Sequence, residues 1–362
     1  MQGRGNAARY FLFIPSYDCS AAMHDQADSL REIAHRQYRG TPGALDAPQL
    51  IAVAGGRVGV GVTTVAVNLA VGFALSGRRT VLVDVELERP GVAAGCRLDT
   101  RYTVADVLAG RRSLHEVLER GPGGIQVVTG PVRRTAAPDC SQAALRGLLG
   151  QLAELGAHAD VVVLDIGAGI NRTTQAFWQA ADRLLVVTTP ELDALLDSYA
   201  AIKLFADSRA DKTVATLVNQ APTAEVALDA HERLTRTCRG HLGLRLTSAG
   251  WLPCDAALAA TVGGQPFRIE ASDSEASREL DRIVEAWSLE AATSAATATT
   301  ATAAATNPPK AVESSVTSDH DSAATIVAPA PQVVPTPHVM PASHLGALDG
   351  LNLMSPPGAS VG

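Results

Sequence analysis

Residues Gly56-Arg57-Val58-Gly59-Val60-Gly61-Val62-Thr63 follow the phosphate-loop template GxxxxGK[ST] at every defined position but one. Gly56, Gly61 and Thr63 match, and Val62 stands where the template has lysine. Such a loop binds anions because its glycines let successive backbone N–H groups close around phosphate oxygens, and the helix behind it adds favourable partial charge. That cradle is made of main chain, so it survives the loss of the lysine. Its expected members are Gly56, Gly59, Gly61, Val62, Thr63 and Thr64. The valine removes a point charge from the β and γ phosphates. A hydrogen bond to a charged group contributes about 1.5–3 kcal/mol, so binding should weaken by roughly tenfold or more. The rate should fall further, because phosphoryl transfer rests on positioning and charge stabilisation.

Two apolar runs end in carboxylates. VLVDVEL places Asp84 and Glu86 together, and VVVLDIGAG places Asp165 before a glycine-rich turn. Acids at the carboxyl ends of buried strands, beside a phosphate loop, are placed to hold Mg2+ and orient an attacking water. In the usual phosphate-loop scheme Thr63, Asp84 and Asp165 form the metal set, and Asp165 is the Walker B acid. The structural alternative is that these acids cap the turns or helices that follow.

The elements that must position these residues are legible between Leu50 and Glu290. Short β-branched runs alternate with longer helical patterns: LIAVA, TVLVDV, IQVVTG, DVVVLD, RLLVVTT, TVATLVN and LTSAGWLP. Near-continuous apolar runs separated by helices predict an α/β fold, a doubly wound and mostly parallel sheet covered on both faces. Ligands of such sheets sit beyond the carboxyl ends of the strands. The domain is expected over residues 49–290. Residues 1–48 form a separate segment that ends in the linker RGTPGALDAP, and a tail follows at 291–362. The segment SRELDRIVEAW puts Leu280, Ile283, Val284 and Trp287 on one helical face, which predicts core packing.

These motifs resemble the MinD/ParA family of deviant Walker A P-loop ATPases, and within it the FlhG-type regulators of flagellar number. The likeness covers residues 51 to about 290, through RVGVGVT, VAVNLA, RYTVADVLAG, GPGGIQVVTG, LDIGAGINRTTQAF, AADRLLVVTTPE, LVNQ and GWLPCD. Against the family loop KGGVGKT, Arg57 takes the place of the signature lysine that reaches across an ATP-sandwich dimer. Val58 replaces a glycine and Val62 the P-loop lysine. The resemblance implies bound ATP or ADP with Mg2+, adenine contacts from Asn219 and Pro253, and catalytic positions at Arg57, Asp84 and Glu86. The family has aspartate where this chain has Glu86. It also implies a partner, because Asp25, Gln26, Ala27, Leu30 and Arg31 match the DQAxxLR element by which FlhG proteins engage an FlhF-type GTPase.

Bulk properties narrow the function classes. A net charge of −7 and a pI near 5.7 disfavour DNA binding and set back a chromosome-partitioning role. Five scattered cysteines without metal-ligand spacing read as reduced, which with the lack of a long apolar run predicts a cytoplasmic protein. Peripheral contact with the inner face of the membrane stays open. After Glu290 the Ala/Thr/Pro-rich sequence buries too little apolar surface to offset ordering entropy, which predicts disorder. The expectation is a MinD/FlhG-like spatial regulator, a pseudo-ATPase that forms an ATP-dependent homodimer. The alternatives are an active ATPase of the same fold and a nucleotide-independent scaffold.

Overall fold

All seven apolar runs become strands of one sheet. They are β1 (Gln49–Gly55), β2 (Thr80–Asp84), β4 (Gln126–Val128), β5 (Val161–Ala168), β6 (Arg183–Thr188), β7 (Val214–Ala221) and β8 (Leu246–Pro253). An eighth, β3 (Glu119–Arg120), is too short and polar to give a sequence signal. The order is β3-β4-β2-β5-β1-β6-β7-β8, parallel throughout except for β3 against β4. The computed structural model describes residues 47–131, 138–169, 171–206, 214–254 and 265–305.

Helices cover both faces: α1 (Val62–Leu75), α2 (Val92–Gly95), α3 (Val104–Leu108), α4 (Leu114–Val117), α5 (Gln142–Glu154), α6 (Arg172–Ala180), α7 (Leu192–Ala206), α8 (Ala224–Leu242), α9 (Phe267–Glu270) and α10 (Glu275–Ala305). Strand alternation divides the core in two. Leu50, Ala52, Val81, Val83, Val162 and Leu164 point to one layer, while Ile51, Val53, Leu82, Val161 and Val163 point to the layer that holds α1 and α10. Asp84 in β2, Asp165 in β5 and Asn219 in β7 continue the alternation that faces α1. The sheet therefore presents all three from its α1 side. Beyond Asp165 the register slips, with Val53 opposite Asp165 but Ala54 opposite Gly167, so Ile166 is the extra residue of a bulge.

The predicted stripe Leu280, Ile283, Val284 and Trp287 is buried in the α1 layer. Gly72 lets the two helices close, since a methyl there would come within 2.9 Å of Val284 Cγ2. Asn68 ties the same region together, accepting the Arg268 N–H at 2.9 Å and donating to Thr64 O at 2.8 Å. Helix α10 runs on to Ala305, past the boundary at 291 where the tail was expected to begin. Alanine, the strongest helix former, recurs through that stretch. The rest of the expected tail, and the whole segment 1–46, lie outside the described residues.

Candidate functional site

The phosphate loop turns from β1 into α1 through two glycines in the left-handed region, Gly59 (φ 94°) and Gly61 (φ 93°). Helices α3, α5, α6 and α8 begin on Thr103, Ser141, Asn171 and Thr223, whose side chains accept first-turn N–H groups. Helix α1 begins on Gly61 without a side-chain cap. Its first ladder bond runs from Val65 N–H to Gly61 O at 2.9 Å, so the N–H groups ahead of it face the loop. The glycine spacing thus gives the turn and the uncapped helix start that an anion cradle would need.

Val62 does not point into that cradle. It is only 6% exposed and packs in the core with Val60, Ile51 and Val53. A methyl at Gly55 would lie 2.7 Å from Val62 Cγ2 and 2.8 Å from Val60 Cγ2. The position has been absorbed into the apolar layer. Val58, which replaces a glycine of the family loop, is exposed.

The end of β7 holds the loop from the opposite side. Asn219 Nδ2 donates to Val60 O at 2.8 Å, and Gln220 Nε2 donates to Gly59 O at 3.3 Å. Gln220 takes φ 57° to reach it, a strained conformation that sequence gave no means to find. Asn219, expected to contact adenine, thus has its side-chain amide on the loop. Pro253 ends β8 opposite Ala221, whose carbonyl accepts the Cys254 N–H at 2.9 Å.

Helix α7 closes a third side. A methyl at Gly56 would overlap the backbone of Asp197 and Ser198. Ser198 Oγ donates to Thr188 Oγ1 at 3.0 Å and seats the helix on β6. Arg57 turns onto the same helix, 3.8 Å from Asp193 and 3.7 Å from Asp197. The i, i+4 spacing of those two acids was the sequence signal for a shared cation site. The residue expected to reach toward another subunit is paired within its own chain.

The three carboxylates do meet, in unequal states. Asp84 is fully buried with both oxygens engaged: Oδ1 accepts from Glu86 N–H (3.1 Å), Oδ2 from Gly91 N–H (3.1 Å) and Val92 N–H (3.0 Å). It ties down the β2–α2 turn and the start of α2, so both of its oxygens, expected to serve a metal, accept main-chain N–H groups. Burial, with Asp165 alongside, pushes its carboxyl well above the usual range. Glu86 Oε1 accepts the N–H groups of Glu88 (3.0 Å) and Arg89 (3.2 Å). The rest of its side chain lies on Gly167, where a methyl would meet it. Glu86 therefore joins the β2–α2 turn to the segment after β5, with its Oε1 engaged by main-chain N–H groups.

Asp165 differs. Its Oδ1 accepts the Gly167 N–H at 3.1 Å, while the buried Oδ2 has no hydrogen-bond partner. A buried carboxylate oxygen left unpaired calls for an explanation, and a cation is the chemical species that fits. The Thr63 hydroxyl lies beside the carboxyl, as a shared metal would require. Gly91 approaches Thr63 from the other side, its absent Cβ 3.1 Å from Thr63 Oγ1.

Burial pushes the Asp165 carboxyl up to about 6, against the downward pull of Thr63 and Gly167 and with Glu86 adding to the rise. A folded-state pKa above the unfolded one means that the folded chain binds the extra proton between about pH 4 and 6. Stability from this group is present below that window and lost as pH rises through it. Asp165→Asn is therefore expected to raise the melting temperature at pH 8 in metal-free buffer and to flatten the melting profile between pH 4 and 6. A lower melting temperature than wild type at pH 8 would refute the uncompensated burial.

Residues 48–209 match a family model described as an AAA domain. The chain is 32% identical over 253 residues to the antiactivator FleN of Pseudomonas aeruginosa, covering 69% of this chain and 90% of FleN. It is 27% identical over 195 residues to the flagellum site-determining protein YlxH of Helicobacter pylori, covering 54% of this chain and 65% of YlxH. Its fold is that of the septum site-determining protein MinD of Pyrococcus horikoshii, solved in complex with Mg-ADP. The TM-score is 0.56 at 20% identity, over 66% of this chain and 95% of that one. No helix among the described residues is long and apolar enough to cross a membrane.

Proposed function

Because the chain belongs to the MinD/ParA family of P-loop proteins, in its FlhG-type branch, we propose that it regulates flagellar number or placement as a nucleotide-binding switch with weak or lost hydrolysis. One observation carries the nucleotide half of this reading: the unpaired, buried Oδ2 of Asp165 beside Thr63, at the mouth of a cradle whose main chain is intact. Thr63 and Asp165 are the residues to hold Mg2+, which when bound neutralises phosphate charge. Gly59, Gly61 and the free N–H groups of α1 receive the phosphates. Val58, Leu192 and Leu196 are exposed beside the loop and offer apolar surface to a second copy, which supports a nucleotide-dependent homodimer.

The partner half rests on Asp25, Gln26, Ala27, Leu30 and Arg31, which lie outside the described residues. Their match to DQAxxLR supports an FlhF-like GTPase as the target. Titrating the full chain into a purified FlhF-type GTPase should give saturable binding, weakened at least roughly tenfold by Leu30→Asp, since buried apolar anchors dominate such interfaces. Equal affinity of the two chains removes the helix from the interface. An unaltered flagellar count in cells lacking the chain counts against the regulatory reading itself.

A scaffold that ignores nucleotide is the second reading, favoured by the burial of Val62 and the engagement of Arg57 by α7. Nucleotide titration separates the two.

A further inference from the structure

We infer that the cradle is a diphosphate site: it holds a nucleoside diphosphate with Mg2+ and gains no affinity from a third phosphate. The inference rests on the nucleotide reading above and deepens it.

The donors around the loop divide into two groups. On the α1 side the N–H groups ahead of Val65 are available, and the Thr63 hydroxyl is shared with the Asp165 carboxyl. On the opposite side, where the chain leaves β5, they are engaged. Gly167 N–H serves Asp165 Oδ1 at 3.1 Å, and Gly169 N–H serves Gly55 O at 3.2 Å. Both of these main-chain donors behind the Walker B acid are turned back into the protein.

Charge divides the same way. A third phosphate adds negative charge, which stabilises a complex only if a cation or a set of oriented donors meets it. Position 62 supplies an apolar side chain packed on Gly55 instead of an ammonium. The loop's one cation, Arg57, faces Asp193 and Asp197. Toward the β5 exit the nearest side chain is the Glu86 carboxylate, lying on Gly167 with Asp165 close by. A terminal phosphate entering there meets like charge, and the Gly167 and Gly169 N–H groups are already engaged. The first two phosphates need neither Val62 nor this exit.

Arg57 is the group able to reverse the preference, because exposed pairs at such separations contribute only about 0–1 kcal/mol. Its seat on α7 is therefore part of the inference, and the test includes it.

Calorimetric titration of the full chain with Mg-ADP, and separately with Mg2+ and a non-hydrolysable ATP analogue, provides the test. The expected result is an ADP affinity equal to or tighter than that of the analogue. Val62→Lys should shift the ratio toward the analogue by roughly tenfold, the worth of one restored charged hydrogen bond. Arg57→Ala, an exposed change that leaves the core intact, should leave the ratio where it is. An analogue bound tenfold or more tighter than ADP by the wild-type chain overturns the inference and leaves the nucleotide reading standing. A loss of that preference in Arg57→Ala would name the arginine as the cause. If neither nucleotide binds, the nucleotide reading falls and the inference with it.

Discussion

Mg-dependent ATP turnover by this chain is expected to lie at least about a hundredfold below that of a MinD-type ATPase with the loop lysine, since losing one preorganised donor to a transition state typically costs about 100- to 1,000-fold. Two features of the site point the same way. Val62 is folded into the core between Val60 and Gly55, and the loop's cation, Arg57, faces Asp193 and Asp197. Glu86 is fixed by two N–H groups and Gly167, so the candidate water-positioning acid is restrained as well. For this reason Val62→Lys is expected to raise nucleotide affinity more than turnover. The lysine stem can keep part of the valine's burial while the ammonium reaches the phosphates. Phosphate release measured on both chains decides the matter: wild-type turnover equal to that of a lysine-bearing relative would end the pseudo-ATPase reading.

Gly56→Ala is expected to unseat α7. The added methyl would overlap the main chain of Asp197 and Ser198, which has no flexible end to move aside. Overpacking of a core typically costs about 1–3 kcal/mol, and a collision with backbone belongs at the top of that range or above it. Gly59→Ala provides the contrast. Gly59 also has a positive φ, of 94°, but a methyl there enters open space, so only the left-handed backbone penalty of about 1–2 kcal/mol applies. Denaturant midpoints at matched slopes compare the two. A loss below about 1 kcal/mol in Gly56→Ala would mean that α7 is not seated on the loop.

The fold was largely legible because it rests on local patterns. Seven β-branched runs, the glycines of the loop and the acids at strand ends are all written within short windows, and strand alternation then brings Asp84, Asp165 and Asn219 to one side. What stayed hidden is decided by groups far apart in the chain. Nothing local to Asp84 shows that Gly91 and Val92 will fold back onto its Oδ2, while Asp165 keeps one oxygen bare. The hold of Asn219 and Gln220 on the loop crosses about 160 residues and needs an uncommon backbone angle. Arg57 pointed toward a partner by resemblance, yet Asp193 and Asp197 compete for it within the chain. The two-residue strand β3 pairs through main chain alone, which composition does not record.

The alternation of β2, β5 and β7 also governs how relatives of this chain can be compared. Inside those strands a gap of one residue is larger than a gap of two. One residue removed ahead of Asp165 would turn it through the sheet into the layer of Val162 and Leu164, away from Thr63. Two removed would restore its side and only draw it back by about 7 Å along the strand. Odd and even, more than distance along the sequence, is the frame in which this site is read.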